Sequence, residues 1–303
     1  MTMGKRRASG IERGMEFVAE QTFQLKEKLW MENLARNISN GMLINPDIRE
    51  LPKLNGSAVV IGAGPSVERY DHLKLLKESG YGGTIVACDK ILIPCLKAGL
   101  TPDIVITADG DPKIAEFYNH ELVKQNGKTK AVLNVITHPE TVTKVPYHVF
   151  WYMTPVDDPL APRSITRCMH FMTKKTIFSS FGCVGGEAFN LAYFLGANPI
   201  ILVGMDYGYP PDTPPEQTSY YGSYAELAKR QGKKVGDYFT TVRNPDTGND
   251  VVLDMNWAIY RRLFLQQIKK AKVKIINCSP TSSLFGEGIE FIELKEVLEK
   301  WER

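Results

Sequence analysis

The sequence predicts an α/β protein with a Rossmann-like, mostly parallel sheet flanked by helices. Three observations predict it. Short, continuously apolar β-branched runs alternate with helical stretches after position 56, which is the mark of βαβ units. The runs are apolar at successive positions rather than alternate ones, as strands buried on both faces must be. The first run ends in Gly62-Ala63-Gly64-Pro65-Ser66, a strand-to-helix turn of small residues.

In chain order, residues 13–40 carry Phe17, Val18, Phe23, Leu25, Leu29, Trp30, Leu34 and Ile38 at helical spacing. This is an amphipathic helical lead-in over the first fifty residues, packed on the main domain, with a dimerising arm as the alternative. Asn45-Pro46-Asp47 ends it, and residues 51–303 form one Rossmann-like domain. Strands are predicted at 58–61, 84–88, 104–107, 131–136, 148–152 and 200–203. Helices are clearest at 67–79, 91–98 and 185–195, the last ending at Gly196 as a helix C-terminus should. Residues 207–236 read as a long Gly, Pro, Tyr and Ser-rich loop, the kind that is functional or mobile. A β-hairpin insertion follows at 238–242 and 251–253, then a helix at 254–270, a strand at 273–276 and a helix at 294–301.

Composition excludes several function classes. With 37 basic and 34 acidic residues among 303, the net charge is +3, too little to call for nucleic acid or an anionic membrane. The basic run Lys5-Arg6-Arg7 reads as a solvated tail. No apolar run reaches the ~20 residues of a membrane span, and no signal peptide is legible, so a cytoplasmic protein is expected. The five cysteines, Cys88, Cys95, Cys168, Cys183 and Cys278, lack zinc spacing and read as reduced core residues. GxSxG, GxxxxGK and HExxH patterns are missing.

Candidate site residues fall at strand ends, where open α/β sheets bind ligands. Gly62, Ala63, Gly64, Pro65 and Ser66 would bring backbone to a phosphate, Ser66 capping the following helix. Position 67 is valine, where a dinucleotide fingerprint needs glycine, so NAD is disfavoured. Asp89 follows the second strand as a ribose or base contact, or as a helix cap. Asp109 and Asp111 follow the third, spaced to hold Mg²⁺ against phosphate oxygens or to cap a turn. Ser180, Gly182 and Gly185 make a second small-residue cradle before a helix. Asp206, Tyr207 and Tyr209 end another buried strand, with Tyr220, Tyr221 and Tyr224 on the loop beyond; phenols there would donate to a leaving phosphate. Ser279 follows the last core strand. Of the five histidines, His138 is the one placed for acid–base work.

The order of these motifs resembles the family that joins motility-associated factor (Maf) glycosyltransferases to archaeal 6-hydroxymethyl-7,8-dihydropterin pyrophosphokinases. The matching stretches are VVIGAGPSVE, ACDKILIPCLKAGLTPDIVITAD and FGCVGGEAFNLAYFLGANPIILVGMDYGY. Trp30 to Asn37 is similar to the lead-in of the glycosyltransferase branch. Bacterial CMP-sialic-acid-dependent sialyltransferases carry similar landmarks. That resemblance implies CMP binding at Gly62, Gly64, Pro65, Ser66 and Gly185 and a reacting centre at Asp206, with Tyr207 and Tyr209 offset from the sialyltransferase tyrosines. The catalytic histidine of those enzymes has no counterpart in 248–257, which leaves the base open.

The resemblance therefore implies a transferase using a nucleotide-activated donor. Its sugar branch would take a glycosyl group, a nonulosonic acid being one candidate, from a CMP- or other nucleotide-sugar, with Asp206, Tyr207, Tyr209 and Asp109 at the reacting centre and no certain cofactor. Its other branch would transfer diphosphate from ATP, with Mg²⁺ on Asp109 and Asp111. The acceptor would be a protein, glycan or pterin, and a homo-oligomer is compatible with either. A nucleotide-binding regulatory protein without turnover is a third reading.

Overall fold

The computed structural model describes residues 26–44, 46–179 and 181–301. Eight parallel strands form one sheet in the order β10-β9-β6-β1-β2-β3-β4-β5, namely β1 (Ala58–Ile61), β2 (Thr84–Cys88), β3 (Ile104–Thr107), β4 (Lys130–Asn134), β5 (His148–Tyr152), β6 (Ile200–Val203), β9 (Ile275–Asn277) and β10 (Glu290–Phe291). The antiparallel pair β7 (Phe239–Arg243) and β8 (Asp250–Asp254) makes the expected hairpin. Every residue of β1, β3 and β6 is buried, which is why these strands read as unbroken apolar runs.

Helices cover both faces. Helix α8 (Val184–Leu195) packs across β1, β2 and β3 with Ala188, Phe189, Leu191, Ala192 and Leu195 buried in the main core. The opposite layer holds Leu92, Val105, Ala131, Leu133, Trp151 and Met169. Leu34, on the helix over residues 26–39 (α1), is buried in that layer too, so α1 is packed onto the sheet domain. Residues 13–25 of the predicted lead-in lie outside the described residues.

Four expectations are corrected. The helix expected at 67–79 is two, α2 (Ser66–Arg69) and α3 (His72–Ser79), because Asp71 takes a left-handed φ of 50° and breaks the chain direction. The long loop at 207–236 contains α9 (Tyr221–Gln231), whose tyrosines and glycine hid its helical spacing. Three helices were missed, α5 (Glu121–Gln125), α6 (Pro139–Lys144) and α7 (Ile165–Thr173), two of them no longer than six residues. Cys168 is exposed on α7 rather than a core residue. The remaining helices are α4 (Leu92–Lys97), α10 (Met255–Ile268) and α11 (Leu294–Trp301). Among the described residues, no helix is long and apolar enough to cross a membrane.

Candidate functional site

Strand β1 pairs with β2 on one side and with β6 on the other. The chain direction of successive connections reverses between β1 and β6, the switch point at which open sheets take ligands. The turn after β1 and the segment after β6 meet there. Gly62 N–H donates to the Val203 carbonyl and Gly64 N–H to that of Gly204, at 2.8 and 2.9 Å. A Cβ at Gly62 would lie 2.4 Å from the Gly204 oxygen, and one at Gly64 would lie 2.6 Å from the Asp206 carboxyl carbon. Both glycines are thus required by the protein's own backbone and carboxylate.

Asp206 lies beneath this turn, 3% exposed. Its Oδ2 accepts the Ser66 N–H at 2.8 Å and its Oδ1 the Ser66 hydroxyl at 2.5 Å. Ser66 Oγ is also 2.9 Å from Ser279 Oγ, which accepts the Gly204 N–H at 3.1 Å. The expected cap is reversed. Ser66 is the first residue of α2 and its amide is satisfied by a carboxylate from the segment after β6, because Pro65 occupies the N-cap position without a side-chain bond. Burial raises the Asp206 pKa, and the Ser66 bonds oppose that rise. Ala63 and Pro65 remain exposed on the outer surface of the turn.

Tyr207 and Tyr209 point into the protein. Tyr207 is 4% exposed at a left-handed φ of 49°, accepts the Cys183 thiol at 3.2 Å and packs on Trp257 and Phe264. The Tyr209 hydroxyl donates to Asp254 Oδ2 at 3.0 Å while accepting from Trp257 Nε1 at 2.8 Å and the Ser219 amide at 3.0 Å. Asp254 also caps α10 through the Trp257 amide at 2.9 Å, and the Tyr224 hydroxyl accepts the Asn256 N–H at 3.0 Å. This knot binds the 207–236 segment to the hairpin and α10. Gly182 is exposed, with φ 85° and the Tyr260 ring 2.0 Å from where its Cβ would be; Gly185 packs on Met205. Ser180 lies outside the described residues.

A second group of polar residues collects at the ends of β2, β3 and β5. Asp89 is 4% exposed, accepts the Lys90 amide at 2.7 Å and is hydrogen-bonded by Thr107. Burial raises its pKa to about 6, so it changes charge near neutrality. The Tyr152 hydroxyl donates to Glu187 of α8, a buried carboxylate absent from the sequence-based expectations because VGGEAFN reads simply as a helix start. Tyr118 and Thr107 hydroxyls lie 2.7 Å apart beside them.

Asp109 and Asp111 follow β3. The Lys26 ammonium, from α1, reaches both Asp109 oxygens at 3.1 and 2.9 Å. Asp111 caps the following 3-10 helix by accepting the Lys113 amide at 2.9 Å. Two and three turns further along, α1 clamps this edge. Asn33 donates to the carbonyls of Gly110 and Ile136, and Asn37 to those of Val135 and Thr137. Among the described residues, no three His, Cys, Asp or Glu side chains cluster to hold a metal. His138 Nδ1 accepts the Glu140 amide at 3.3 Å and so caps α6. Concavities of about 320 and 390 Å³ lie at the opposite, amino-terminal edge of the sheet, lined by residues such as Leu96, Asn126, Tyr81 and Asp103. None of the predicted site residues lines them, and the ionisable groups converge instead at the carboxyl edge.

Residues 30–212 match the family described as 6-hydroxymethylpterin diphosphokinase MptE-like. The chain is 27% identical over 196 residues to a 6-hydroxymethyl-7,8-dihydropterin pyrophosphokinase of Pyrococcus furiosus, covering 63% of this chain and 73% of that one. It is 33% identical over 95 residues to an uncharacterized protein of Treponema pallidum, covering 31% of this chain and 42% of that relative, less than half its length. Among solved structures, the MAf glycosyltransferase of Magnetospirillum magneticum AMB-1 superposes with a TM-score of 0.57 at 16% identity, over 80% of this chain and 35% of that one. That last likeness is one of fold.

Proposed function

The chain belongs to the 6-hydroxymethylpterin diphosphokinase MptE-like family, and from that premise we propose that it is a transferase taking a glycosyl group from a nucleotide-activated donor at the carboxyl edge of β1, β2 and β3. One observation carries the choice of a sugar over diphosphate. Asp109, the carboxylate best placed for Mg²⁺, is already paired through both oxygens with Lys26, and its neighbour Asp111 is engaged as a cap. A resident divalent ion would have to displace that ammonium. In this reading the exposed Ala63 to Pro65 turn meets the nucleotide, Asp89 accepts a hydrogen bond from its ribose or base, and Asp206 holds the turn from below as a positioning residue. The bond from anomeric carbon to phosphate oxygen breaks with its electron pair left on phosphate. An acceptor oxygen bonds the same carbon and gives up its proton.

A second reading is favoured by the activity for which the family and the Pyrococcus relative are named. There Asp109 and Asp111 would hold Mg²⁺ once Lys26 has moved aside, and the ion would neutralise ATP phosphates. Turnover separates the two. The sugar reading expects release of nucleoside monophosphate or diphosphate from a nucleotide-sugar in EDTA. AMP formed from ATP and hydroxymethyldihydropterin only in Mg²⁺, with every nucleotide-sugar intact, refutes it.

A further inference from the structure

The large apolar side chains that stand exposed among the described residues are Ile38, Ile44, Leu160, Phe171, Met172 and Ile177, at 40 to 89%. All fall in residues 38–44 and 160–177, and the fold brings those two segments together at one end of the sheet. The Pro46 carbonyl accepts the Trp151 N–H of the edge strand β5 at 2.8 Å, and Ile177 pairs with Met153 just past that strand. Asp47 ties the two segments, accepting the Thr176 amide at 2.6 Å and its hydroxyl at 2.7 Å, while Arg49 donates to the Lys174 carbonyl at 3.3 Å. On α7, Thr166 and Met169 face the core, which turns Phe171 and Met172 outward. Large apolar side chains gathered in this way mark a contact surface, where scattered ones would not.

The patch is basic. Between 158 and 174 the exposed charged side chains are Asp158 against Arg163, Arg167 and Lys174, and the Lys174 ammonium lies 4.3 Å from the centre of the Phe171 ring. A complement lies in this same chain. Ile11, Met15, Val18 and Leu25 recur at spacings of four, three and seven, the pattern of one helical face. Glu12, Glu16 and Glu20 stand four apart beside them, with Arg13 as the opposing charge. At helical rise, residues 11–25 span about 22 Å, against about 13 Å for α7. Within one molecule this stretch starts from the wrong end. Lys26 is bonded to Asp109 after β3, Asn33 reaches the loops after β3 and β4, and Asn37 the loop after β4. Helix α1 therefore runs from β3 toward the β5 patch, and the chain before Lys26 leaves at the far end. A neighbouring copy brings the same stretch to the patch without doubling back.

We infer that residues 11–25 of a second copy dock on the α7 face, their apolar side against Leu160, Phe171 and Met172 and their glutamates toward Arg163 and Lys174, so that the protein is a dimer held by exchanged arms. Sedimentation equilibrium on the full chain tests it, with circular dichroism to check that each variant is folded. Wild type should be a dimer. Phe171→Ser should raise its dissociation constant about tenfold or more. So should reversal of the arm by Glu12→Lys, Glu16→Lys and Glu20→Lys together, and reversal of the patch by Arg163→Glu with Lys174→Glu. The two reversals combined should restore most of the lost affinity, which neither a fold defect nor an unrelated interface would do. A monomeric wild type overturns the inference, as does a dimer that tolerates Phe171→Ser. Loss on Phe171→Ser with the arm reversal silent overturns the arm as the occupant. Reversals that each weaken the dimer and do not rescue one another overturn the pairing of arm with patch.

Discussion

A Cβ added at position 64 would sit 2.6 Å from the Asp206 carboxyl carbon and 2.7 Å from the Gly204 oxygen. The Gly64 backbone is not left-handed, so alanine is excluded by contact alone. Gly64→Ala should cost about 1 to 3 kcal/mol, read as a lowered urea midpoint with unchanged slope. Asp89 gives the opposite sign. With a pKa raised from 3.8 to about 6, its ionised form is disfavoured in the folded state. Asp89→Asn should therefore stabilise the protein at pH 7 by up to about 3 kcal/mol while weakening nucleotide binding. Unchanged stability contradicts the burial account, and unchanged binding removes Asp89 from the site. At this scale the sequence was legible in part. Gly62 to Ser66 stood out because five small residues after a buried strand have few other uses, but which atoms fill the missing Cβ space depends on Gly204, Met205 and Asp206, some 140 positions away. Glu187, Lys26 and Asp254 carried no local pattern that separates them from ordinary charged helix and strand-end residues.

The elements show where periodicity suffices and where it fails. Strands β1, β3 and β6 were readable to the residue because burial on both faces leaves no polar position to blur their ends. Helix α9 was hidden because YGSYAELAKRQ buries only Tyr224 and Ala228, too narrow a stripe to signal a helix. The segment around it is held by the Tyr209, Tyr224 and Asp254 knot rather than by a broad apolar face. Asp254→Ala removes the cap of α10 and leaves two phenols and the Trp257 amide without their acceptor. The expected loss is about 2 kcal/mol, with faster hydrogen exchange in 209–224 and the first turn of α10 and none in β1 to β3. Exchange spread evenly over the sheet would contradict a local latch. Helix α1 behaves differently, since Leu34, Asn33 and Asn37 tie it to the sheet and to the loops after β3 and β4; its apolar spacing was readable, its two asparagines were not.

Across the whole molecule two buried groups set opposing pH dependences. His72 is 2% exposed and burial lowers its pKa from 6.5 to about 4. Its contribution is present above pH 6.5 and is lost as pH falls through 4. Asp89, raised from 3.8 to about 6, contributes below pH 3.8 and loses that contribution as pH rises through 6. Between about pH 4 and 6 the slopes offset each other, and Asp89→Asn should expose an acid sensitivity of up to about 3 kcal/mol over that interval. A variant whose stability is as flat as wild type there rules out the pairing. The same edge that holds Asp89 also holds Lys26, Asp109 and the β1 turn, and a nucleotide bound there without metal is the central claim. Thermal denaturation in EDTA with CMP, CMP-sugars, UDP-sugars and ATP tests it most directly, because a ligand that binds the folded state alone raises the midpoint. The midpoint should rise with a nucleoside monophosphate or a nucleotide-sugar in EDTA and stay there on adding Mg²⁺. A rise with ATP alone, and only once Mg²⁺ is added, contradicts it.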